Sequence, residues 1–295
     1  MQPHHRRALA RAARAGLLAR GVRGLALLHA GPLDERRRDR RPARRPAGRD
    51  RPSPTTRRAV SGATGGRLFL FDVDGTLVTA AGAGRIALGR ALAATYGTTG
   101  PIEAYDFRGK TDPRIVWDLM RGAGLDNARI AERLPACFAA YVAELDALIG
   151  DGARVKVMPG IAEVVRALAA RRDAVVGLLT GNIEAGARVK LRPTGLWPLF
   201  RLGAFGSDDL DRRKLPAIAC ERAQRLVGHP FAFEQVTIIG DTPLDVDCAR
   251  ACGAVAVAVA TGFHPPEELT ACAPDLFFAD FSDVPAALAA LTAPR

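Results

Sequence analysis

Five short apolar segments, with helical patterns between and after them, constrain the fold of this chain more than any other feature. The first is Arg67-Leu-Phe-Leu-Phe-Asp72, an apolar run ending on an acidic residue, which is typical of a buried parallel strand. Similar runs cover 174–180, 236–241, 254–261 and 276–279, and helical patterns cover 161–171, 183–191, 215–227, 243–252 and 284–291. This alternation predicts βαβ units and therefore an α/β fold with a parallel sheet and helices on both faces.

Residues 83–155 interrupt the alternation with helical patterns at 85–96, 112–123 and 128–149 and no convincing strand. We interpret them as a small helical domain inserted after the first strand, so that the α/β domain comprises 67–82 and 156–295. Because ligands of parallel α/β sheets bind at the carboxyl ends of the strands, Asp72, Thr180 and Asp241 are expected to lie together.

The excess positive charge of the chain is confined to residues 1–66. This segment contains 17 Arg and 4 acidic residues, whereas the rest contains 25 basic and 27 acidic residues. The later part therefore gives no electrostatic indication of nucleic-acid binding. Residues 6–30 are compatible with a basic amphipathic helix, and 31–58 are too polar to order, so disorder is predicted. A targeting or membrane-surface segment, an RNA-contacting arm, and a solvated tail or over-extended start are the alternatives for 1–66.

The cysteines and the hydropathy of the sequence give predictions about the cellular location of the chain. The five cysteines form no CxxC pair, which predicts free thiols in a reducing, cytoplasmic environment. No apolar run reaches the roughly 18 residues of a membrane helix, so no transmembrane segment is predicted. The sequence contains no indication of oligomeric state.

The segment Asp72-Val-Asp74-Gly-Thr76 carries the strongest chemical signal. Beyond the end of a strand, a tight turn at Gly75 allows the two carboxylates to converge on one ion. Carboxylate oxygens suit Mg²⁺, and a carboxylate can also attack phosphorus to form an aspartyl-phosphate. The alternative is an acidic turn without a chemical role.

Two further strand ends carry polar residues. Asp241 is positioned to complete the set of metal ligands. Asp245 follows one helical turn later and could hold water molecules bound to the metal or orient Asp241. The alternative for Asp241 and Asp245 is ordinary helix capping. At the end of 174–180, the Thr180 hydroxyl and the amides of Gly181 and Asn182 are candidate donors to phosphoryl oxygens, or else simple helix caps.

A basic group is expected to neutralise the phosphoryl oxygens in the transition state. The run 211–216 offers three consecutive basic residues ahead of a helix. Most residues of such a run lie on a solvated face, so at most one of the three is expected to reach the site.

These four motifs, in this order, resemble the haloacid dehalogenase (HAD) superfamily over about 67–292, which implies a Rossmann-like core and phosphatase chemistry. The resemblance implies that Asp72 is the nucleophile and Asp74 the general acid/base. It also implies that Mg²⁺ is bound by Asp72, the backbone carbonyl of Asp74 and Asp241, with Asp245 in the same motif. The third motif departs from the usual Lys-Pro-x-Pro: alignment on Pro216 selects Arg213 as the phosphate-binding base, whereas residue identity selects Lys214, which we favour.

Residues 83–155 correspond in this resemblance to a helical cap of the type found in phosphoglycolate phosphatases and β-phosphoglucomutases. Within the cap, Phe107-Arg-Gly-Lys-Thr-Asp112 resembles a substrate-reading loop, which implicates Lys110, Thr111 and Asp112. The competing interpretation is that Thr111 or Asp112 only caps a helix ahead of Pro113.

The sequence therefore predicts a Mg²⁺-dependent phosphomonoester hydrolase that acts on a small phosphorylated metabolite. The alternatives are a phosphosugar mutase of the same superfamily and a non-catalytic or RNA-associated protein that acts through its arginine-rich segment. A haloalkanoate dehalogenase is disfavoured, because that chemistry needs no metal and the resembling enzymes lack an equivalent of Asp74.

Overall fold

The computed structural model describes residues 66–294, so the helix and the disorder predicted within 1–66 lie outside the described residues. The strands are β1 (Arg67–Phe71), β2 (Val78–Thr79), β3 (Lys156–Val157), β4 (Ala174–Thr180), β5 (Leu202–Phe205), β6 (Val236–Gly240), β7 (Val255–Val259) and β8 (Leu276–Phe278). The helices are α1 (Ala83–Tyr96), α2 (Asp112–Gly122), α3 (Asn127–Ile149), α4 (Ile161–Ala169), α5 (Glu184–Leu191), α6 (Leu215–Val227), α7 (Pro243–Cys252), α8 (Pro266–Ala271) and α9 (Val284–Thr292). Short 3-10 turns occupy several of the connections.

Six of the strands form one parallel sheet in the order β5-β4-β1-β6-β7-β8. The alternating side chains of β1 explain why the sheet is buried on both faces. Phe69 and Phe71 pack in an apolar cluster with residues of α4 and α9, whereas Leu68 and Leu70 pack in a second cluster with residues of α6 and α7. The predicted α/β fold with a parallel sheet is thereby confirmed.

Helices α1, α2 and α3 pack around a third apolar cluster, which includes Leu92, Leu119 and Leu145 and is joined by Ile183 and Val189 from the region of α5. Thr111 caps α2 by accepting a hydrogen bond from the Arg114 amide, and Asp126 caps α3 in the same way. The two connections between this helical segment and the sheet run side by side, because β2 and β3 pair antiparallel.

Strand β5, the β2–β3 pair and helix α8 were not predicted. Strand β5 reads Leu-Gly-Ala-Phe, in which glycine and alanine lower the strand signal. The β2–β3 pair has two residues in each strand, and α8 has six residues. These segments are too short for the periodicity of apolar residues to identify a strand or a helix. None of the described helices is long and apolar enough to cross a membrane.

Candidate active site

The ends of the three central strands bring the predicted acidic and hydroxyl residues together. Phe71 pairs with Leu178 of β4 on one side and with Ile239 of β6 on the other. Asp72, the last residue of β4 and the residue after β6 therefore emerge at the same edge of the sheet. Asp72, Thr180 and Asp241 are all buried there.

The turn after β1 is shaped by a glycine that no other residue can replace without strain. Gly75 has a φ of +82°, and a Cβ atom there would lie 2.2 Å from Asp241 Oδ2. The turn is closed by hydrogen bonds from the Gly75 amide to the Val78 carbonyl and from the Leu77 amide to the Val73 carbonyl. The carboxylate of Asp241 thus packs directly against the backbone between Asp74 and Thr76.

Asp72, Asp241 and Asp245 form a buried acidic cluster, in which one carboxylate oxygen of each lies within 4.8 Å of those of the others. Burial raises the pKa of Asp72 to about 6, and Asp245 adds to this, while Arg212 and the Thr180 hydroxyl act in the opposite direction. Burial and the charge of Asp72 raise the pKa of Asp241 well above its usual range. Carboxylates held this close in the ionised state require a cation.

The hydrogen bonding of the cluster also indicates that it can bind a hard divalent cation. Asp72 Oδ1 is buried and accepts no hydrogen bond from any described residue. Among residues 66–294, Asp241 accepts one side-chain hydrogen bond, from the Thr76 hydroxyl at 3.1 Å, which leaves capacity for a metal on its carboxylate. Oxygen ligands of this kind are those that Mg²⁺ prefers.

Both carboxylate oxygens of Asp245 contact neighbouring side chains. Its Oδ2 accepts hydrogen bonds from the backbone amide and the hydroxyl of Thr242, at 3.1 and 2.7 Å, which caps α7. Its Oδ1 pairs with the guanidinium of Arg212. Asp245 therefore caps the helix, as the capping alternative stated, and a role in holding water molecules bound to the metal or orienting Asp241 stays a prediction.

The basic residue that reaches the cluster is Arg212, which corrects the prediction of Arg213 or Lys214. The side chain of Arg212 is 7% exposed, and its Nη2 atom lies 3.2 Å from Asp72 Oδ1. Arg213 and Lys214 instead pair at the surface with Asp211 and Asp209. The three residues form one 3-10 turn, so successive side chains point in different directions, and only the first points inward.

Residues 180–182 form a hydrogen-bonded corner beside Asp74. The Asn182 side-chain amide donates to Thr180 Oγ1 at 2.9 Å and to Asp74 Oδ2 at 2.8 Å. The same oxygen of Asp74 contacts the ammonium of Lys190 at 2.6 Å. Lys190 was not among the residues predicted from the sequence. Its only signal was a charged residue between the apolar residues Val189 and Leu191 in the last turn of α5.

The loop 107–112 from the helical segment packs directly against the corner at Gly181. A Cβ atom at Gly181 would lie 2.1 Å from the Lys110 carbonyl oxygen. The Asp112 amide donates to the Gly181 carbonyl at 2.7 Å, and Asp112 Oδ2 accepts from the Ile183 amide at 2.8 Å. Burial raises the pKa of Asp112 to about 6, opposed by the charge of Lys190. The Arg212 Nη1 atom also holds this loop, by a 2.9 Å hydrogen bond to the Gly109 carbonyl.

Within this loop the predicted substrate-reading residues have different surroundings. Thr111 is the helix cap of α2, as the competing interpretation stated, and its hydroxyl also donates to the Leu210 carbonyl at 3.0 Å. Lys110 lines the cavity of the site, but its Nζ atom lies 4.1 Å from the centroid of the Tyr105 ring. A role of Lys110, Thr111 and Asp112 in reading substrate stays a prediction.

A cavity of about 220 Å³ lies between the helical segment and the carboxyl edge of the sheet. Its polar floor includes Asp72, Asp74, Asn182 and Arg212. Its other walls, from the helical segment and the loop after β7, include the apolar side chains of Leu88, Phe107, Ile115, Tyr141 and Phe263. The site therefore has the volume and polarity of a pocket for a small anionic molecule.

Comparison with known proteins agrees with this geometry. A phosphoglycolate phosphatase of Synechococcus elongatus is 27% identical over 223 residues, which are 73% of this chain and 94% of the relative. IndB of Dickeya dadantii, named a probable phosphatase, is 29% identical over 54% of this chain and 68% of its own length. The crystal structure of a hydrolase from Pseudomonas syringae shares the fold, with a TM-score of 0.59, 19% identity and coverage of 77% of this chain and 100% of that chain. The sequence profile of the haloacid dehalogenase-like hydrolases matches residues 69–250, which confirms the resemblance: the chain belongs to the haloacid dehalogenase-like hydrolase family.

Proposed function

We propose that this hydrolase is a Mg²⁺-dependent phosphatase that cleaves phosphomonoesters of small metabolites through an aspartyl-phosphate on Asp72. The observation that carries the proposal is the environment of Asp72 at the floor of the cavity. One of its oxygens has no hydrogen-bond partner among the described residues, and the guanidinium of Arg212 lies 3.2 Å from that oxygen. A buried carboxylate held beside a fixed cation at the floor of the cavity suits attack on an anionic phosphoryl group.

In the first step a carboxylate oxygen of Asp72 forms a bond to phosphorus while the bond from phosphorus to the ester oxygen breaks. Asp74 donates a proton to the departing oxygen, so that an alcohol leaves. Arg212 and the hydroxyl of Thr180 offset the charge on the equatorial oxygens of the transferring group.

In the second step Asp74, now ionised, takes a proton from a water molecule. The water oxygen bonds to phosphorus, the bond between phosphorus and Asp72 breaks, and inorganic phosphate is released. The side chain of Asp74 is 45% exposed, which is compatible with water reaching it once the alcohol has left.

Asp72, Asp241 and the backbone carbonyl of Asp74 are the proposed ligands of Mg²⁺, and Asp245 orients Arg212 beside them. When bound, the ion supplies positive charge that favours both substrate phosphate and the charge that develops in the transition state. The buried acidic cluster supports this assignment, because it has two negative charges in excess of Arg212 when all its groups are ionised.

The helical segment is proposed to be a cap domain whose loop 107–112 covers the site. A cavity of about 220 Å³ accommodates a small ester rather than a protein or nucleic acid. Phosphoglycolate is a natural first candidate, because a relative that aligns over 94% of its length is named for it. A cytoplasmic location for the enzyme stays a prediction.

The test is phosphate release by the purified chain from para-nitrophenyl phosphate and from a panel of small esters that includes phosphoglycolate, glycerol 3-phosphate and hexose phosphates. We expect turnover with Mg²⁺, none with EDTA, and none in the Asp72→Asn variant. A folded chain that releases no phosphate from any ester would refute the proposal. Transfer of phosphate between positions of a sugar, without net release, would indicate a mutase instead.

A further inference from the structure

Lys190 is a buried charged residue that the mechanism above does not use. It lies in the last turn of α5, and 4% of its surface is exposed. Its Nζ atom lies 2.6 Å from Asp74 Oδ2 and 2.6 Å from Asn182 Oδ1. A helical side chain leans toward the N-terminus of its helix, so lysine can extend from the last turn back to the corner where Asn182 precedes α5.

Both hydrogen bonds to the Asp74 side chain end on the same oxygen. Lys190 and the side-chain amide of Asn182 both donate to Oδ2, at 2.6 and 2.8 Å. No described residue donates a hydrogen bond to Oδ1. The carboxylate is therefore held through one oxygen, and the other remains available for proton transfer.

The surroundings of Lys190 fix its ammonium in this place. The first turn of α1 lies over it at Gly84, where a Cβ atom would lie 3.4 Å from Lys190 Nζ. With Asp74 and Asn182 on its other sides, the ammonium has two strong acceptors and little free space. A lysine held in this way acts as a fixed support and not as a mobile surface charge.

We propose that Lys190, together with Asn182, is the positioning residue for the general acid/base Asp74. It holds Oδ2 so that Oδ1 points to the ester oxygen that departs and later to the attacking water. This inference rests on the proposed function, since it assigns the support of a group that the function uses. It explains why a lysine is buried at a place where an apolar side chain would serve packing alone.

The inference makes the effect of Lys190 depend on the leaving group. An alkyl alcohol leaves as a strong base and needs the proton from Asp74, whereas para-nitrophenolate is stable as an anion and needs it far less. General acid catalysis contributes about 10²–10⁴ in rate, and a small misplacement of a catalytic group forfeits about 10². The Lys190→Met variant should therefore lose about 100-fold in kcat/KM for an alkyl ester and less than about 10-fold for para-nitrophenyl phosphate.

The comparison uses kcat/KM, because this constant ends with the first irreversible step, the departure of the alcohol. Hydrolysis of the aspartyl-phosphate, which is common to both esters, does not enter it. The alkyl probe is the best alkyl ester of the phosphate-release panel. Ile130→Val, a conservative change at a fully buried position of α3, is the control for general destabilisation and should lower both constants equally.

A double-mutant cycle with Asp74→Asn completes the experiment. If Lys190 acts through Asp74, Lys190→Met should change kcat/KM by less than about twofold when Asp74 is already asparagine. Lys190→Arg, which keeps a cation, should recover part of the loss on the alkyl ester. Equal losses on both esters, or an undiminished effect of Lys190→Met in the Asp74→Asn background, would overturn the inference.

The outcomes separate this inference from the proposed function. A wild-type chain without phosphatase activity refutes the function, whereas an active wild type with an unselective Lys190→Met variant refutes only the assignment of Lys190. If circular dichroism shows that Lys190→Met does not fold, Lys190→Gln, which retains a hydrogen-bond donor, is measured by the same criteria.

Discussion

Replacement of Arg212 by methionine tests the electrostatic organisation of the site. The guanidinium lies 3.2 Å from Asp72, pairs with Asp245 and donates to the Gly109 carbonyl at 2.9 Å. Methionine retains apolar contacts but leaves two buried carboxylates without their cation. Removal of one partner of a buried ion pair costs about 3–5 kcal/mol, so we expect the free energy of unfolding in EDTA to fall by this amount.

The same substitution removes the positive charge that is proposed to face the transferring phosphoryl group. Loss of one fixed donor to the developing charge typically lowers kcat by about 10²–10³, and we expect a decrease of this size. Arg212→Lys should fall between wild type and Arg212→Met. Lysine restores a point charge near Asp72 but not the planar fork that contacts Asp72, Asp245 and Gly109 at once.

Urea unfolding followed by circular dichroism gives the stability difference, and phosphate release gives kcat. The unfolding experiment also has a predictable pH dependence. Burial raises the pKa of Asp72 to about 6, from an ordinary value of 3.8, so above pH 6 its carboxylate is ionised and depends on Arg212. As the pH falls through 6, Asp72 becomes protonated in the folded state and no longer needs the cation. The stability difference between wild type and Arg212→Met should therefore shrink from pH 8 to pH 5.

Arg213→Met and Lys214→Met are the matched controls, since both residues are exposed and pair only with surface carboxylates. Surface substitutions change stability by less than about 0.5 kcal/mol, and we expect activity within about twofold of wild type. The reasoning would be refuted if Arg212→Met kept its stability and kcat while either control lost activity. In that case the basic residue that contacts the phosphoryl group would be Arg213 or Lys214, as the sequence predicted.

Three further substitutions test other parts of the structure. Asp241→Asn removes one of three clustered buried carboxylates, so its melting temperature in EDTA should be higher than that of the wild type. Added Mg²⁺ should raise the melting temperature of the wild type but not that of the variant. A variant with a lower melting temperature in EDTA and an intact Mg²⁺ effect would contradict a metal site. Gly181→Ala places a Cβ atom 2.1 Å from the Lys110 carbonyl oxygen, so the loop 107–112 must shift, and steady-state kinetics should show a higher KM; an unchanged KM would show that the loop does not contact substrate. Leu119→Ala empties a fully buried position of the helical segment and should lower the free energy of unfolding by about 2–5 kcal/mol in urea; a loss below 1 kcal/mol would contradict close packing there.

The parallel sheet and its acidic edge could be predicted because both follow from short-range patterns. A strand such as β1, buried on both faces, leaves an unbroken apolar run, and the residue after the run must lie at the carboxyl edge. Asp72 and Asp241 were found in this way, and the register of β1 with its two neighbours then brings them together. Strand β5 lies at the edge of the same sheet and contains Gly203 and Ala204, which carry little strand signal.

The choice among residues 212–214 could not be made from sequence. All three have the same charge and occupy consecutive positions in one 3-10 turn, so local propensity does not distinguish them. The surface carboxylates of Asp209 and Asp211 bind Lys214 and Arg213, and the buried carboxylates of Asp72 and Asp245 bind Arg212. Lys190 was missed for the same reason, because its partner Asp74 lies 116 residues away in the chain.

The charges of the site divide into two groups that correspond to two tasks in the proposed mechanism. Asp72, Asp241 and Asp245 outnumber Arg212 by two charges, which a divalent cation balances, so this group is neutral before a phosphate dianion enters. Asp74 and Lys190 form a separate pair that is neutral by itself while Asp74 is ionised. In the proposed mechanism, Arg212 therefore stabilises the transferred group and Lys190 supports the residue that moves protons. Because the two cations act on different carboxylates, loss of Arg212 should affect all esters alike, whereas loss of Lys190 should discriminate between leaving groups.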